Sequence, residues 1–253
     1  MLREEDEDVP RRFTEVYQRS FNMVLDVTIN GVSHQGGEFT VEVTTLIGNQ
    51  SKTSDTLLMA TGWVPNTDIL DVAKTGVETN QQGYTTTDEF LQTNVSGIWA
   101  LGDIVGRYLL KHSANLEAAY VSNNILNPDN QVAANYHAMP HAVFAPPQVA
   151  SVGMTEQEAE GRGATYVTAT DNYSDTAYGA YIEDKDGFVK VLADPESGEI
   201  LSCHIIGTDA AILVQEAANA MRFRAEVEVI VKSIYVHPAL PEVMQRPFGR
   251  LPV

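Results

Sequence analysis

The chain has 253 residues, of which 43% are apolar, and both values are ordinary for a globular protein with one large or two modest cores. Its 34 acidic residues outnumber its 16 basic residues and give a formal net charge of -18, which excludes nucleic acid or an anionic membrane as the expected partner. Such an acidic, lysine-poor surface suits a salt-loaded cytoplasm, so the composition favours a halophilic protein over an acidic mesophilic one.

The first third of the chain predicts a helix followed by strands. Carboxylates and Pro10 precede apolar residues at helical spacing, which favours a helix that starts after an acidic loop. We interpret the acidic run 4–8 itself as a solvated face. Two strand-like runs, 22–29 and 39–45, predict an antiparallel hairpin or meander. The continuous apolar run 56–60 predicts one further strand.

The middle of the chain carries a pattern that is typical of cofactor sites. Residues 98–101 predict a short buried strand that ends in Gly102 and Asp103, and a helix is expected over 113–126. A carboxylate at the end of a strand can accept a hydrogen bond from a ribose or ribityl hydroxyl, while the glycine lets the backbone approach closely. An aspartate that caps a turn or helix is the structural alternative. Residues 127–131 are the best linker candidate.

The second half of the chain predicts an α+β fold. Thr155 and Glu158 have the spacing of a capping box at a helix start. A turn at 194–198 separates two of the strand-like runs. The predicted elements are strands at 143–152, 187–192 and 200–207 and helices at 210–221 and 226–233.

His237 and Glu242 form the most informative pair of residues, because they share a proline-stiffened turn near the end of the chain. Imidazole has the unperturbed pKa closest to neutrality, and a carboxylate on its far nitrogen fixes the tautomer and raises the basicity. The pair therefore predicts proton transfer. The structural alternative is a surface histidine in a proline-rich turn.

The single cysteine and the other histidines exclude several kinds of site. One cysteine, Cys203, permits no internal disulfide, no cysteine-based zinc site and no dithiol redox pair, and its apolar surroundings predict a buried structural thiol. No metal-ligand spacing is present among the remaining histidines: His34, His112, His137, His141 and His204. Because no apolar run approaches the length of about 20 that spans a bilayer and the acidic start lacks signal-peptide regions, we expect a cytoplasmic protein without a membrane partner.

Two runs in the first half of the chain resemble adjacent signatures of the FAD-dependent pyridine nucleotide-disulfide oxidoreductases. They are Met-Ala-Thr-Gly-Trp-Val-Pro-Asn-Thr-Asp at 59–68 and Gly-Ile-Trp-Ala-Leu-Gly-Asp at 97–103. The resemblance implies that the first run closes an NAD(P)-binding domain and that the second returns the chain to an FAD-binding domain. Gly102 and Asp103 would then contact the ribityl-pyrophosphate region of the flavin. The following helix start would direct its positive end towards the flavin pyrimidine edge with residues Leu110, Lys111 and His112.

The resemblance continues to the C-terminus. Residues 144–156 and 187–191 are similar to the dimerisation domain of the family, and His237 and Glu242 match its His-Glu signature. This implies a homodimer in which His237 is the acid/base that serves the partner subunit and Glu242 orients it. Within this signature the residues at 239–241 are Ala-Leu-Pro. This form resembles most the mycothione reductase branch of the family, followed by the dihydrolipoamide dehydrogenase and mercuric reductase branches.

Three features of the family have no counterpart in the chain. They are the N-terminal FAD fingerprint, the Cys-x4-Cys redox disulfide and the NAD(P) fingerprint. We therefore expect the C-terminal portion of a longer enzyme, with part of an NAD(P)-binding domain at 1–82, part of an FAD-binding domain at 83–134 and the dimerisation domain at 135–253. The expected fold is an incomplete α/β nucleotide-binding region followed by an α+β domain with an antiparallel sheet.

The implied activity is NAD(P)H-dependent reduction of a small disulfide, mycothione-like or lipoamide, with FAD as the cofactor. The missing N-terminal half could be a separate chain, and the isolated chain is expected to be inactive. A different class of function stays open, namely a stand-alone dimerisation module without catalysis, because the redox cysteines are missing while the domain from about residue 135 onwards is complete.

Overall fold

A computed structural model describes residues 1–253, which form two compact units. One unit contains residues 1–15 and 65–253, and the other contains residues 16–64. Helix α1 (Asp8–Ser20) begins in the first unit, where Val9 and Phe13 are buried, and it confirms the helix predicted after the acidic run. No helix in the structure combines the length and the apolar character that a membrane span requires.

The smaller unit is built on a three-stranded antiparallel sheet in the order β1 (Thr28–Gln35), β2 (Glu38–Thr45) and β3 (Gly48–Ser54). The prediction of a strand at 22–29 is wrong in its position. The turn at Gly36 and Gly37, both at positive φ, sets a register in which pairing with β2 extends upstream only as far as Thr28.

The apolar run 56–60 does not form the predicted strand. No other strand pairs with it, and Leu58 and Met59 are 88% and 73% exposed. An apolar sequence becomes a strand only where a neighbouring strand satisfies its backbone, and none lies beside this run. The prediction of a strand at 98–101 is also wrong, because only a single bridge between Gln92 and Trp99 forms there.

The larger unit contains helix α2 (Lys111–Leu126), as predicted, and a five-stranded antiparallel sheet. The strand order is β4-β5-β8-β7-β6. The strands are β4 (His141–Val143), β5 (Gln148–Gly153), β6 (Val167–Asn172), β7 (Phe188–Ala193) and β8 (Ile200–Gly207). The structure therefore confirms the mixed α/β and α+β class with an antiparallel sheet.

Five helices accompany this sheet. They are α3 (Glu156–Gly161), α4 (Ala177–Tyr181), α5 (Ala210–Arg222), α6 (Glu228–Val231) and α7 (Glu242–Phe248). The capping box at Thr155 and Glu158 is confirmed, with both reciprocal hydrogen bonds present. Helix α5 packs against β5 and β8, and α7 packs against β6 and β7. The prediction of one strand at 143–152 is wrong because Pro146 and Pro147 lack the N–H groups that a continuous ladder needs.

Cys203 lies in β8 within this core and is fully buried, as predicted. Burial raises the pKa of its thiol, and the nearby carboxyl group of Glu216 adds to the shift. A thiol that is protonated and shielded from solvent is a poor nucleophile, so its position supports a structural role.

A row of polar side chains crosses the five strands of the larger sheet. The strand registers place His141 opposite Ser151, Ser151 opposite His204, His204 opposite Lys190, and Lys190 opposite Thr170. We call these five residues the polar row. Ser151, His204 and Lys190 are buried, so they need partners within the protein.

The acidic run supplies partners for Ser151 and Lys190, whereas His204 Nε2 lies 3.1 Å from the carbonyl oxygen of Met154. The interpretation of residues 4–8 as a solvated face is therefore wrong for Glu5 and Asp6, which are buried, while Glu4 and Glu7 are exposed. Asp6 is 0% exposed and Lys190 is 3% exposed. Lys190 Nζ lies 2.7 Å from Asp6 Oδ1, 2.7 Å from Asp8 Oδ2 and 2.6 Å from Glu156 Oε2. Although burial opposes it, the hydrogen bonds to these carboxylates raise the pKa of Lys190.

Glu5 joins the other end of the polar row. Its carboxylate lies 2.6 Å from His141 Nε2 and accepts a hydrogen bond of 2.6 Å from Ser151 Oγ. Burial opposes ionisation of Glu5, but the hydrogen bond and charge of His141 together with the bond from Ser151 lower its pKa. The hydrogen bond to Glu5 raises the pKa of His141 despite the burial of the imidazole.

These shifts predict a pH window for the Glu5–His141 pair. Because the pKa of His141 is raised on folding, its interaction with Glu5 contributes its full stability when the pH is below the ordinary histidine pKa of 6.5. This contribution is lost as the pH rises through the pKa of the folded state. Because the pKa of Glu5 is lowered on folding, its interactions contribute their full stability when the pH is above the ordinary glutamate pKa of 4.5. This contribution is lost as the pH falls through the pKa of the folded state. The pair therefore contributes fully between about pH 4.5 and 6.5.

We expect the melting temperature of the His141→Gln variant to fall furthest below that of the unchanged protein within this window. The difference in melting temperature should narrow above and below this window. Because the imidazole is partly exposed, the largest loss in the free energy of unfolding should be about 1 kcal/mol or less. Thermal unfolding from pH 4 to pH 9 measures the deficit. His34→Gln, an exposed position in β1, is the matched control, and a deficit that does not change with pH would contradict the prediction.

Candidate functional site

The His237–Glu242 pair is present as a hydrogen bond. His237 Nδ1 lies 2.8 Å from Glu242 Oε1, and Glu242 Oε2 accepts a bond of 3.1 Å from the backbone N–H of Ala239. The hydrogen bond from His237 and then that from Ala239 lower the pKa of Glu242. Because an ionised carboxylate only accepts hydrogen bonds, Nδ1 carries a proton and Nε2 is left for other chemistry. The imidazole is 68% exposed, so Nε2 is open to a molecule outside the domain.

The turn that carries this pair is fixed at both ends. Glu242 is the first residue of α7, a helix that the sequence patterns did not reveal because it is short and contains Pro247. Leu240 is buried, and Gln245 Nε2 donates to the carbonyl groups of Val231 and Ser233. These contacts hold the proline-rich turn against the end of α6.

Gly102 and Asp103 form a short 3-10 turn in front of α2. Gly102 has φ +74, and a Cβ at this position would lie 3.3 Å from Ala114 Cβ, so the residue suits close packing of the turn against the helix. Its N–H donates to Glu117 Oε2 at 2.5 Å. The side chain of Asp103 is exposed and is available to accept hydrogen bonds.

Glu117 is a buried residue at this site that the sequence reasoning missed. It lies on the inner face of α2, and its second oxygen accepts a hydrogen bond of 2.9 Å from Tyr136 OH. Burial and this bond raise the pKa of Tyr136. The guanidinium of Arg107 lies 4.5 Å from the centre of the Tyr136 ring. The buried face of α2 also contains Ser113, Val121 and Asn124, so apolar periodicity gave little signal for Glu117.

The start of α2 presents an uncapped helix N-terminus. Leu110 makes no side-chain capping bond, and the first turn contains no acidic residue, so the positive end of the helix is not compensated. Lys111 Nζ bonds to Asn115 Oδ1 at 2.6 Å, and His112 Nε2 lies 2.7 Å from the carbonyl oxygen of Pro140. A cavity of about 590 Å³ is lined by Leu110, Lys111 and His112.

The predicted site residues fall into two separate groups within one chain. A second cavity of about 860 Å³ shares Leu110 and His141 with the first. Neither cavity is lined by Gly102, Asp103, His237 or Glu242. The turn at Gly102 packs against α2, whereas the His-Glu pair lies at the start of α7.

The residues around the start of α2 fit a flavin better than a metal ion. An exposed carboxylate beside a glycine can bind a hydroxylated chain, and an uncapped helix N-terminus can stabilise developing negative charge. No group of three or more His, Cys, Asp or Glu side chains is arranged to hold a metal ion.

Two family models match the chain. A model described as pyridine nucleotide-disulphide oxidoreductase matches residues 1–122, and a model described as the dimerisation domain of the same oxidoreductases matches residues 139–247. The matches together account for most of the chain and place a family domain on either side of the segment between residues 122 and 139.

Individual relatives agree with these matches. The chain is 34% identical over 250 residues to mycothione reductase from Mycobacterium tuberculosis, a match covering 97% of the chain and 54% of the relative. It is 31% identical over 248 residues to dihydrolipoyl dehydrogenase from Mycobacterium leprae, covering 98% of the chain and 53% of the relative. The chain thus spans about half the length of the curated relatives it matches.

A solved structure shows the same fold. The HOCl-induced flavoprotein disulfide reductase RclA from Escherichia coli aligns with a TM-score of 0.86 at 23% identity, covering 98% of the chain and 57% of that protein. At this identity the likeness concerns the fold alone.

Proposed function

The chain belongs to the pyridine nucleotide-disulphide oxidoreductase family, and on that basis we propose that it is the C-terminal portion of a flavoprotein disulfide reductase. The observation that carries the proposal is the 2.8 Å bond between His237 Nδ1 and Glu242 Oε1, which leaves Nε2 free and exposed. We assign residues 1–82 to part of an NAD(P)-binding domain, 83–134 to part of an FAD-binding domain and 135–253 to the dimerisation domain.

The proposed task of His237 is to move one proton. Reduction of a disulfide breaks its S–S bond, consumes two electrons and two protons, and releases two thiols. A thiolate leaves more readily when a nearby acid protonates it. Nε2 of His237 is placed to take up a proton, which gives the doubly protonated imidazole, and then to donate this proton to the leaving thiolate. Glu242 holds Nδ1 in its protonated form and stabilises the charged imidazole, so each proton exchanged passes through Nε2.

The residues before and at the start of α2 are proposed to bind FAD, which when bound supplies electron transfer between NAD(P)H and the disulfide. Gly102 and Asp103 would contact its hydroxylated chain. Leu110, Lys111 and His112 would lie at its reacting ring, where the uncompensated helix N-terminus stabilises negative charge. Because the hydrogen bonds of the His237 and Glu242 side chains stay within their own turn and none reaches α2, we propose that they serve the site of a partner subunit in a homodimer.

The proposed substrate is a low-molecular-weight disulfide. Mycothione and lipoamide derivatives are the first candidates because two relatives over the same segment are named mycothione reductase and dihydrolipoyl dehydrogenase. The redox cysteines and the nucleotide-binding fingerprints would come from an N-terminal half, either in the same polypeptide or in a separate chain.

We expect the chain to bind FAD weakly, and an Asp103→Asn variant to bind it less tightly by about tenfold, because a carboxylate accepts stronger hydrogen bonds than an amide. Titration of the flavin absorbance in high salt measures the binding. Asp88→Asn, whose carboxylate bonds only to backbone N–H groups of its own turn, is the matched control. Equal affinity of the Asp103→Asn variant and the unchanged chain would contradict the assignment of Asp103.

A second function is favoured by the completeness of the larger sheet. The five strands and α5 enclose a continuous core, and the family model for dimerisation matches this region by itself. A stand-alone dimerisation module would form a colourless dimer in the same titration. The flavin absorbance distinguishes the two functions, and light scattering on the same sample tests the dimer that both require, because a monomer would contradict both.

A further inference from the structure

The segment that carries His237 has no regular secondary structure. It runs from the end of α6 at Val231 to the start of α7 at Glu242, and Ile234, Val236 and His237 within it are exposed. An exposed segment with few backbone hydrogen bonds moves on a fast timescale unless side chains restrain it. The position of the imidazole therefore depends on what anchors this segment.

Tyr235 is the side chain that reaches back into the domain from the middle of the segment. It is half-buried, and its hydroxyl donates a hydrogen bond to Oε1 of Glu216. Glu216 lies on α5, the helix that packs against β5 and β8. Burial raises the pKa of Glu216, although the bond from Tyr235 opposes this shift. Burial and the bond to Glu216 both raise the pKa of Tyr235.

The other anchors lie towards the ends of the segment. Gln245 binds the carbonyl oxygen of Ser233, and the buried side chain of Leu240 lies after the turn. Between these two points only Tyr235 bonds to the rest of the domain, because Glu242, the partner of His237, lies in the same turn. The Tyr235–Glu216 bond thus connects the segment to a rigid helix two residues before the imidazole.

We propose that Tyr235 and Glu216 are positioning residues for His237, an inference that rests on the proposed function. They do not contact the imidazole. They restrict the path of the backbone at residues 234–237, and this restriction fixes the direction in which Nε2 faces outwards. The hydrogen bond requires a hydroxyl donor at residue 235 and an oxygen acceptor at residue 216, and it does not require a negative charge.

The first test measures backbone motion in the chain itself. Nitrogen-15 relaxation should give order parameters near the rigid value of about 0.85 for Ile234, Val236 and His237 in the unchanged chain, falling below about 0.6 in Tyr235→Phe. Glu216→Gln keeps the acceptor oxygen and should keep the rigid values, whereas Glu216→Leu should lower them. Tyr178→Phe, a half-buried tyrosine elsewhere in the same domain, is the matched control. Unchanged order parameters in Tyr235→Phe would overturn the inference.

The second test measures turnover in the full-length reductase. Tyr235→Phe and Glu216→Leu should lower kcat by about tenfold to a hundredfold with little change in KM, since a misplaced acid slows the proton step without weakening substrate binding. Glu216→Gln should restore kcat to near the unchanged value. Equal losses in Glu216→Gln and Glu216→Leu would overturn the inference, because the carboxylate charge would then be what matters.

The two tests separate this inference from the proposed function. If His237→Gln leaves turnover unchanged, the role of His237 fails, while the order parameters still report whether Tyr235 restrains the segment. If His237→Gln abolishes turnover and Tyr235→Phe does not alter it, the proposed function stands and the positioning role is wrong.

Discussion

Replacement of Lys190 by alanine should lower the free energy of unfolding by about 3–5 kcal/mol, because it leaves the carboxylate of Asp6 buried without its cation. The lysine also satisfies Asp8 and Glu156, so its removal affects three acidic groups at once. Urea-induced unfolding in constant high salt measures the loss, and limited proteolysis should show release of residues 2–8 before the domain unfolds.

Two comparisons make the Lys190 prediction specific. Lys232→Ala removes a lysine that pairs with Glu228 on the exposed face of α6, and it should change stability by less than about 0.5 kcal/mol. The double variant Lys190→Met with Asp6→Asn should be more stable than Lys190→Met alone, because it removes the unpaired charge as well as the cation. A double variant that is no more stable than Lys190→Met would show that the cost does not arise from buried Asp6.

Replacement of His237 by glutamine should lower disulfide-dependent oxidation of NAD(P)H by about 10²–10⁴-fold in the full-length reductase. Glutamine retains hydrogen-bonding capacity but cannot exchange a proton at neutral pH, so the leaving thiolate would have no acid beside it. Glu242→Gln should cause a smaller fall, since the imidazole keeps its proton-transfer atom but loses the carboxylate that stabilises its charged form.

The matched control for this prediction is an artificial one-electron acceptor that takes electrons directly from the flavin. Its reduction does not involve a leaving thiolate, so the rate should be the same in the unchanged enzyme and in His237→Gln. His34→Gln in the three-stranded sheet should leave both reactions unchanged. A parallel loss of both reactions in His237→Gln would show that the fall does not arise at the step that protonates the leaving thiolate, and this would contradict the proton-transfer role.

Local patterns predicted those elements of the fold that local interactions decide. The capping box at Thr155 and the apolar periodicity of α5 needed no information from distant residues, and both are confirmed. The strands expected at 56–60 and 98–101 do not form, because an apolar run becomes a strand only beside a partner. Strand β6 was missed because its sequence, Val-Thr-Ala-Thr-Asp-Asn, contains no continuous apolar run, and its pairing with β7 is not visible from local sequence.

The site residues likewise include one pair that local sequence predicts and others that it does not. The close spacing of His237 and Glu242 within one turn was enough to predict that they pair. Two other pairs join residues that lie 19 positions apart in different parts of the structure: Glu117 with Tyr136, and Glu216 with Tyr235. Neither the composition nor the hydrophobic periodicity of the sequence connects the members of these pairs. Glu5 and Asp6 in the acidic run were misinterpreted for the same reason, because their partners lie far along the chain at positions 141, 151 and 190.

The separation of 184 residues between Asp6 and Lys190 has a consequence for the order of events during synthesis. Asp6 leaves the ribosome well before its cation, because Lys190 is added 184 residues later. Until then the acidic segment stays hydrated, and the repulsion among its carboxylates opposes premature collapse onto exposed apolar runs. The ion cluster closes one of the longest loops in the protein, so we expect it to form late in folding and to open early in unfolding.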